Sequence, residues 1–222
     1  MKLVTLGKLE LEGFSFQRPK PLLLLLYLHL EGKQSREHLA ELFWQLEGKQ
    51  LSSRQRRNHL SKALSTLRTH VPGSFASDKT SVWSLISTDV AEFRQALAAK
   101  DYACATKTYT GSFLKGHLSG WSVELEEWLY KQRERLAEQA QEAFLALAEQ
   151  AARWRPEEAV QNARSAFRLT EPQANMLPRF HALFEGQDNN LSREVEDFAR
   201  GYGVTLQSPL ESAQSRQETE AT

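Results

Sequence analysis

The stretch LSSRQRRNHLSKALSTLRT, residues Leu51 to Thr69, decides how the whole chain is read. Ser52 followed three residues later by Gln55 is a capping-box signature, so a helix starts here. Leu60, Leu64 and Leu67 recur at helical spacing and form one apolar stripe. At about 100° per residue, Arg54, Gln55, Asn58, Lys62, Ser65 and Thr69 fall on the opposite face. No acidic residue occurs between Glu47 and Asp78, while Lys49, Arg54, Arg56, Arg57, Lys62 and Arg68 all lie in that interval. An ordinary solvated helix face mixes signs to gain i,i+4 pairs. A one-signed face implies a polyanionic partner. Its side chains are those that hydrogen-bond base edges and phosphates. The pattern is that of a DNA recognition helix.

Upstream, Met1 to Phe16 alternates and is broken by Gly7 and Gly13, which predicts two or three short strands. Pro19 and Pro21 open a helix through about Leu30, closed by Gly32. Its run Leu22–Leu30 is too short to span a bilayer and reads as a core helix. Ser35 caps a second helix with Glu37 in its first turn and Leu39, Leu42 and Phe43 inward. A loop from Gln45 to Leu51 leads into the basic helix. Downstream of Pro72-Gly73, apolar pieces near Phe75 and at Val82–Ile86 flank Ser77-Asp78-Lys79-Thr80, a hairpin with Lys79 near its tip. Strands, three helices and a terminal hairpin predict a winged helix, whose third helix enters the major groove.

The segments LGKLELEG, RPKPLLLLLYLHLEGKQSREHLAELFW, RNHLSKALSTLR and VWSLISTDVAEF together resemble the N-terminal half of SARP-type (antibiotic regulatory protein) activators. The resemblance covers residues 2 to about 207 and is strongest over 2–93. It implies an OmpR-like winged helix followed by a bacterial transcriptional activator domain, a tetratricopeptide-like helical module. It implies binding to repeats in double-stranded promoter DNA and activation through RNA polymerase. It places base and phosphate contacts on Arg54, Arg57, Asn58 and Lys62 and wing contacts around Lys79 and Thr80. With the cationic and polar neighbours, the expected DNA-binding set is Arg54, Gln55, Arg56, Arg57, Asn58, Lys62, Ser65, Lys79 and Thr80. The chain departs from the family after Leu42-Phe43-Trp44, where Gln45-Leu46 stands in place of Pro and an acid. That departure falls in the loop that contacts polymerase in the family.

From Asp89 onward the periodicity is helical throughout. Asp89 with Glu92 predicts a capped helix packing Phe93 and Leu97. Asp101-Tyr102-x-x-Ala105-x-x-x-Tyr109 matches the second helix of a tetratricopeptide repeat, and Glu158-Ala159-Val160 with Ala163, Ala166 and Leu169 resembles it again. Ser122 caps a helix reaching about Arg153, with Trp128, Leu129, Leu136, Ala140, Phe144 and Leu147 inward. Trp128, Trp154 and Phe167 are expected in the core. Ser192 to Tyr202 is the last clear helix, ended by Gly203. After Pro209, Ser, Gln and Glu dominate, as in a disordered tail.

Fold class follows: mainly α, with a winged helix-turn-helix domain over 1–88, an all-α tetratricopeptide-like domain over 89–208 and a polar tail over 209–222. Formal net charge is zero overall. Residues 1–88 nevertheless carry thirteen Lys/Arg against seven acids, and the remainder balances them with the opposite sign. A basic front and an acidic back point to different partners: DNA for the first, self-association or a protein for the second. One cysteine, Cys104, leaves no intramolecular disulfide and suits a reducing cytoplasm; the resemblance implies a bacterial one, with the protein on the nucleoid when bound.

Six histidines without ligand spacing exclude a metal motif, and no phosphate-binding glycine loop is present. His59 reads as a phosphate neighbour or a packing residue. The acids at Glu124, Glu126 and Glu127 read as a solvated helix start. No catalysis, cofactor or membrane contact is expected. Two rival readings are an adaptor whose winged helix binds protein, and the N-terminal part of a larger signal-responsive ATPase regulator.

Overall fold

The computed structural model describes residues 1–45, 51–116 and 120–206. The chain is mainly helical and divides into two compact units, Met1–Leu136 and Ala137–Thr222. The division falls inside a helix, not at the composition change near residue 88. The tail expected after Pro209, most of the Gln45–Leu51 loop and His117 lie outside the described residues.

In the first unit, β1 (Lys2–Val4) pairs antiparallel with β2 (Glu10–Leu11) and parallel with β6 (Ser87–Thr88). A second small sheet centres on β5 (Ser81–Ser84), antiparallel to both β3 (Gln34–Ser35) and β4 (Phe75–Ser77). Helix α1 (Pro19–Leu30) is buried continuously from Pro21 to Leu28. A helix apolar on every side must be enclosed on every side. Its two early prolines sit where the N–H has no helical partner, so they cost no hydrogen bond.

Ser35 caps α2 (Arg36–Trp44), its hydroxyl accepting from His38 N at 3.1 Å. Leu39, Leu42 and Phe43 are buried along α2. The hairpin of β4 and β5 follows α3 (Ser53–His70).

Asp89 behaves differently from expectation. Thr88, not Asp89, caps α4 (Asp89–Ala98), accepting from Ala91 N at 3.1 Å. The Asp89 carboxylate is 4 % exposed and turns toward the end of β1. It accepts from Thr5 N, Leu6 N and the Thr5 hydroxyl, each at 2.7 Å. Those amides are buried and lack a strand partner, so an ionised acceptor satisfies them.

On either side of Leu6 the chain pairs with residues 112–114: Gly7 N donates to Ser112 O at 3.1 Å and Leu114 N to Thr5 O at 2.8 Å. Gly7 has φ +102°, and a Cβ on Gly111 would lie 3.2 Å from the Gly7 backbone. Glycine is needed on both sides of that approach. Arg133 then caps the Phe113 and Leu114 carbonyls at 2.7 to 2.9 Å. Helices α4 and α5 (Tyr102–Thr108), with the start of α6 (Val123–Ala152), thus belong to the first unit.

The second unit holds the rest of α6 with α7 (Pro156–Phe167), α8 (Leu177–Phe184) and α9 (Asn189–Tyr202). Phe167 is buried and meets Phe180, Phe184 and Phe198 edge-on, with centroids 5.2 to 6.0 Å away. The sequence reading assigns no helix to α8, because its eight residues are too few to establish a helical period. Helix α9 starts three residues before Ser192, since Asp188 caps it at Leu191 N (3.2 Å). The same carboxylate pairs with Arg164 at 2.7 Å. Trp154 is not in the core. It is 75 % exposed, just past the end of α6, with the Arg153 guanidinium 4.8 Å from its ring.

Candidate nucleic-acid interface

The capping box at the start of α3 is complete. Gln55 N donates to the Ser52 hydroxyl at 3.3 Å, and Ser52 N donates to Gln55 Oε1 at 2.8 Å. Leu60, Leu64 and Leu67 are buried, while Arg54, Asn58, Lys62, Ser65 and Thr69 are exposed on the other side. No acid lies in the first turn. Arg54, Arg56 and Arg57 there oppose the helix dipole, at roughly 0.3–1 kcal/mol each for an exposed helix. A helix that accepts this has a positive end suited to anions.

The structure separates the expected residues into two groups. Arg54, Asn58, Lys62 and Ser65 share one exposed, outward face of the helix. Gln55 is exposed, but its amide oxygen is engaged in the cap. Arg56 departs from the expected set. It is half-buried and turned back, donating from Nη1 to Leu51 O at 2.8 Å, so it braces the helix start. Its position one turn before Leu60 puts it on the inner side. Arg57 lies 3.7 Å from Glu37, with both side chains more than half exposed. Such a surface pair is worth about 0–1 kcal/mol and leaves Arg57 available.

Behind α3, His59 stacks on Trp44 with planes 10° apart and centroids 6.4 Å apart. Of the two expected roles for His59, the geometry supplies packing. Arg68 sits 5.4 Å from the Phe75 ring and joins α3 to the hairpin. The α2 side of α3 opens a cleft of about 340 Å³ lined by Glu37, Ala40, Glu41, Ser53, Arg56 and Arg57. Its carboxylates make that side electrostatically mixed, in contrast to the outward face.

Lys79 and Thr80 occupy the exposed tip between β4 and β5. Thr80 is not free-standing: its N–H donates to Asp78 Oδ1 at 2.9 Å. Lys33 beside Asp78, together with the Thr80 and Ser81 amides, holds that carboxyl well below the usual carboxylate range. Asp78 and Lys33 were not singled out from sequence. An Asp opening a tight turn is the signal that would have found the first, whereas the second is 45 residues away.

Among the described residues, no group of three His, Cys, Asp or Glu side chains could hold a metal ion. No helix among them is long and apolar enough to cross a membrane. The arrangement offers a cationic, amide-bearing helix face and a hairpin tip. Compared with known proteins, the chain matches no family model and no curated protein.

Proposed function

We propose that the chain is a sequence-specific regulator of transcription that binds double-stranded promoter DNA. On this reading residues 1–88 form a winged helix, α3 lies in the major groove and the β4–β5 hairpin is the wing. The observation that carries it is the exposed, acid-free face of α3, with Asn58 one turn from both Arg54 and Lys62. Cations supply attraction to phosphate, and an amide among them supplies base discrimination. The resemblance to SARP-type activators supports activation at repeated sites with RNA polymerase as the partner. It also supports a tetratricopeptide-like role for the later helices in self-association or protein binding.

The test is selection of bound duplexes from a random pool, followed by titration of the selected and a scrambled duplex at several salt concentrations. The reading predicts a shared selected motif and an affinity that falls with salt, by about 0.9 log unit per log unit of salt for each phosphate contacted. A pool that yields no motif removes sequence specificity. Affinity insensitive to salt removes the phosphate contacts and with them the DNA reading.

A further inference from the structure

The hairpin tip carries a carboxylate at a place where a phosphate-facing element gains nothing from negative charge. Asp78 Oδ1 accepts from Thr80 N at 2.9 Å, Ser81 N at 2.7 Å and the Thr80 hydroxyl at 3.2 Å. Asp78 Oδ2 accepts from Lys33 Nζ at 2.8 Å. The main chain of Asp78 donates to Ser81 O at 3.0 Å, and its carbonyl accepts from Arg36 Nε at 3.3 Å. Lys33 also lies 4.8 Å from the Trp83 ring, so its ammonium is shared between a carboxylate and an aromatic face. Arg36 N donates to Thr80 O at 2.8 Å. One side chain therefore closes the turn Asp78–Ser81 and faces the segment joining α1 to α2. Lys79 projects from the middle of that turn.

We propose that Asp78 is a positioning residue for DNA: by closing the hairpin tip it holds Lys79 and Thr80 in the arrangement that meets the phosphate backbone. The inference rests on the DNA-binding reading of the hairpin. Two effects of opposite sign decide whether it holds. As a bare surface charge, Asp78 repels phosphate, and at a separation of about 8 Å its removal would tighten binding roughly twofold. As a positioning group, its removal frees two backbone amides and the tip, and binding weakens although the protein has become more positive. Asp78→Asn and Asp78→Ala remove the same charge. Only the first keeps an oxygen able to accept from the Thr80 and Ser81 amides.

The experiment uses the full chain and both variants, with two readouts. Hydrogen exchange at the Thr80 and Ser81 amides, without DNA, reports whether the turn is closed. Titration of selected and scrambled duplexes at several salt concentrations reports the phosphate contacts. Asp78→Ala should speed exchange at both amides and weaken both duplexes roughly tenfold at low salt. It should also flatten the salt dependence by about one phosphate contact. Asp78→Asn should keep most of the protection and most of the affinity. Unchanged exchange in Asp78→Ala overturns the proposal, as does binding equal to or tighter than that of the unaltered protein. Equal loss in both variants also overturns it, because the acceptor oxygen that only Asp78→Asn keeps would then make no difference. If the unaltered protein bound neither duplex, the DNA reading itself would fall and the recognition role with it. The exchange data would still show whether Asp78 closes the turn.

Discussion

Asn58 separates a base-reading helix from a merely cationic one, because Coulomb attraction to phosphate gives an uncharged amide no role. It is exposed on α3, so Asn58→Ala should leave folding nearly unchanged. Specific binding should fall by about 1–3 kcal/mol while binding to scrambled DNA stays nearly intact. Arg54→Ala and Lys62→Ala each remove a cation and should weaken both kinds of binding. Paired titrations of selected and scrambled duplexes check all three. An unchanged affinity ratio in Asn58→Ala means that Asn58 reads no base. Gln55 and Arg56 lie within three residues of Asn58, yet the cap engages one and the Leu51 carbonyl the other. Residue type alone did not distinguish these three.

At the scale of the element, α3 depends on its cap more than its composition suggests. Three arginines lie within its first five residues and none of its first-turn residues is acidic, so the helix start has no favourable charge of its own. Ser52→Ala breaks the reciprocal bonds of the capping box and should cost about 1 kcal/mol. Urea unfolding measures this as a lower midpoint at unchanged slope. Ser52→Asp keeps an acceptor and adds a negative charge beside the arginines. It should hold or raise the midpoint while weakening DNA binding, since the anion now competes with phosphate for the same helix end. A Ser52→Asp protein that bound DNA as tightly as the unaltered chain would place the backbone contact elsewhere.

For the whole molecule, the buried carboxylate of Asp89 ties residues 84 positions apart. Asp89→Ala leaves the Thr5 and Leu6 amides buried without an acceptor and should cost about 3 kcal/mol. Thermal unfolding checks it. A loss below about 1 kcal/mol would mean that water or another group replaces the carboxylate. In the second unit, the Leu191 amide, followed by Arg164, holds the Asp188 carboxyl below its usual value of 3.8. A depressed folded-state value means that Asp188 contributes stability above about pH 4 and loses it as pH falls from there. Asp188→Asn can still cap α9 but does not titrate. Between pH 7 and pH 3 its melting temperature should therefore fall less than that of the unaltered chain. Equal falls would show that other carboxylates dominate the acid loss.

Local signals were legible wherever one residue type and one spacing sufficed. The sequence by itself determined the buried α1, the Ser35 and Ser52 caps, the Leu60–Leu64–Leu67 stripe and the hairpin around Lys79, because each rests on contacts within a few residues. Tertiary structure decided the rest. Composition turns at residue 88, but the compact unit extends to Leu136. Backbone groups of residues 5–7 find their acceptors and donors at Asp89, Ser112 and Leu114. Asp89 was expected to cap its own helix, and Trp154 to fill a core. Which carboxylate serves which amide, and which tryptophan finds a neighbour, depends on pairings across many tens of residues. Periodicity and propensity carry no information about such partners.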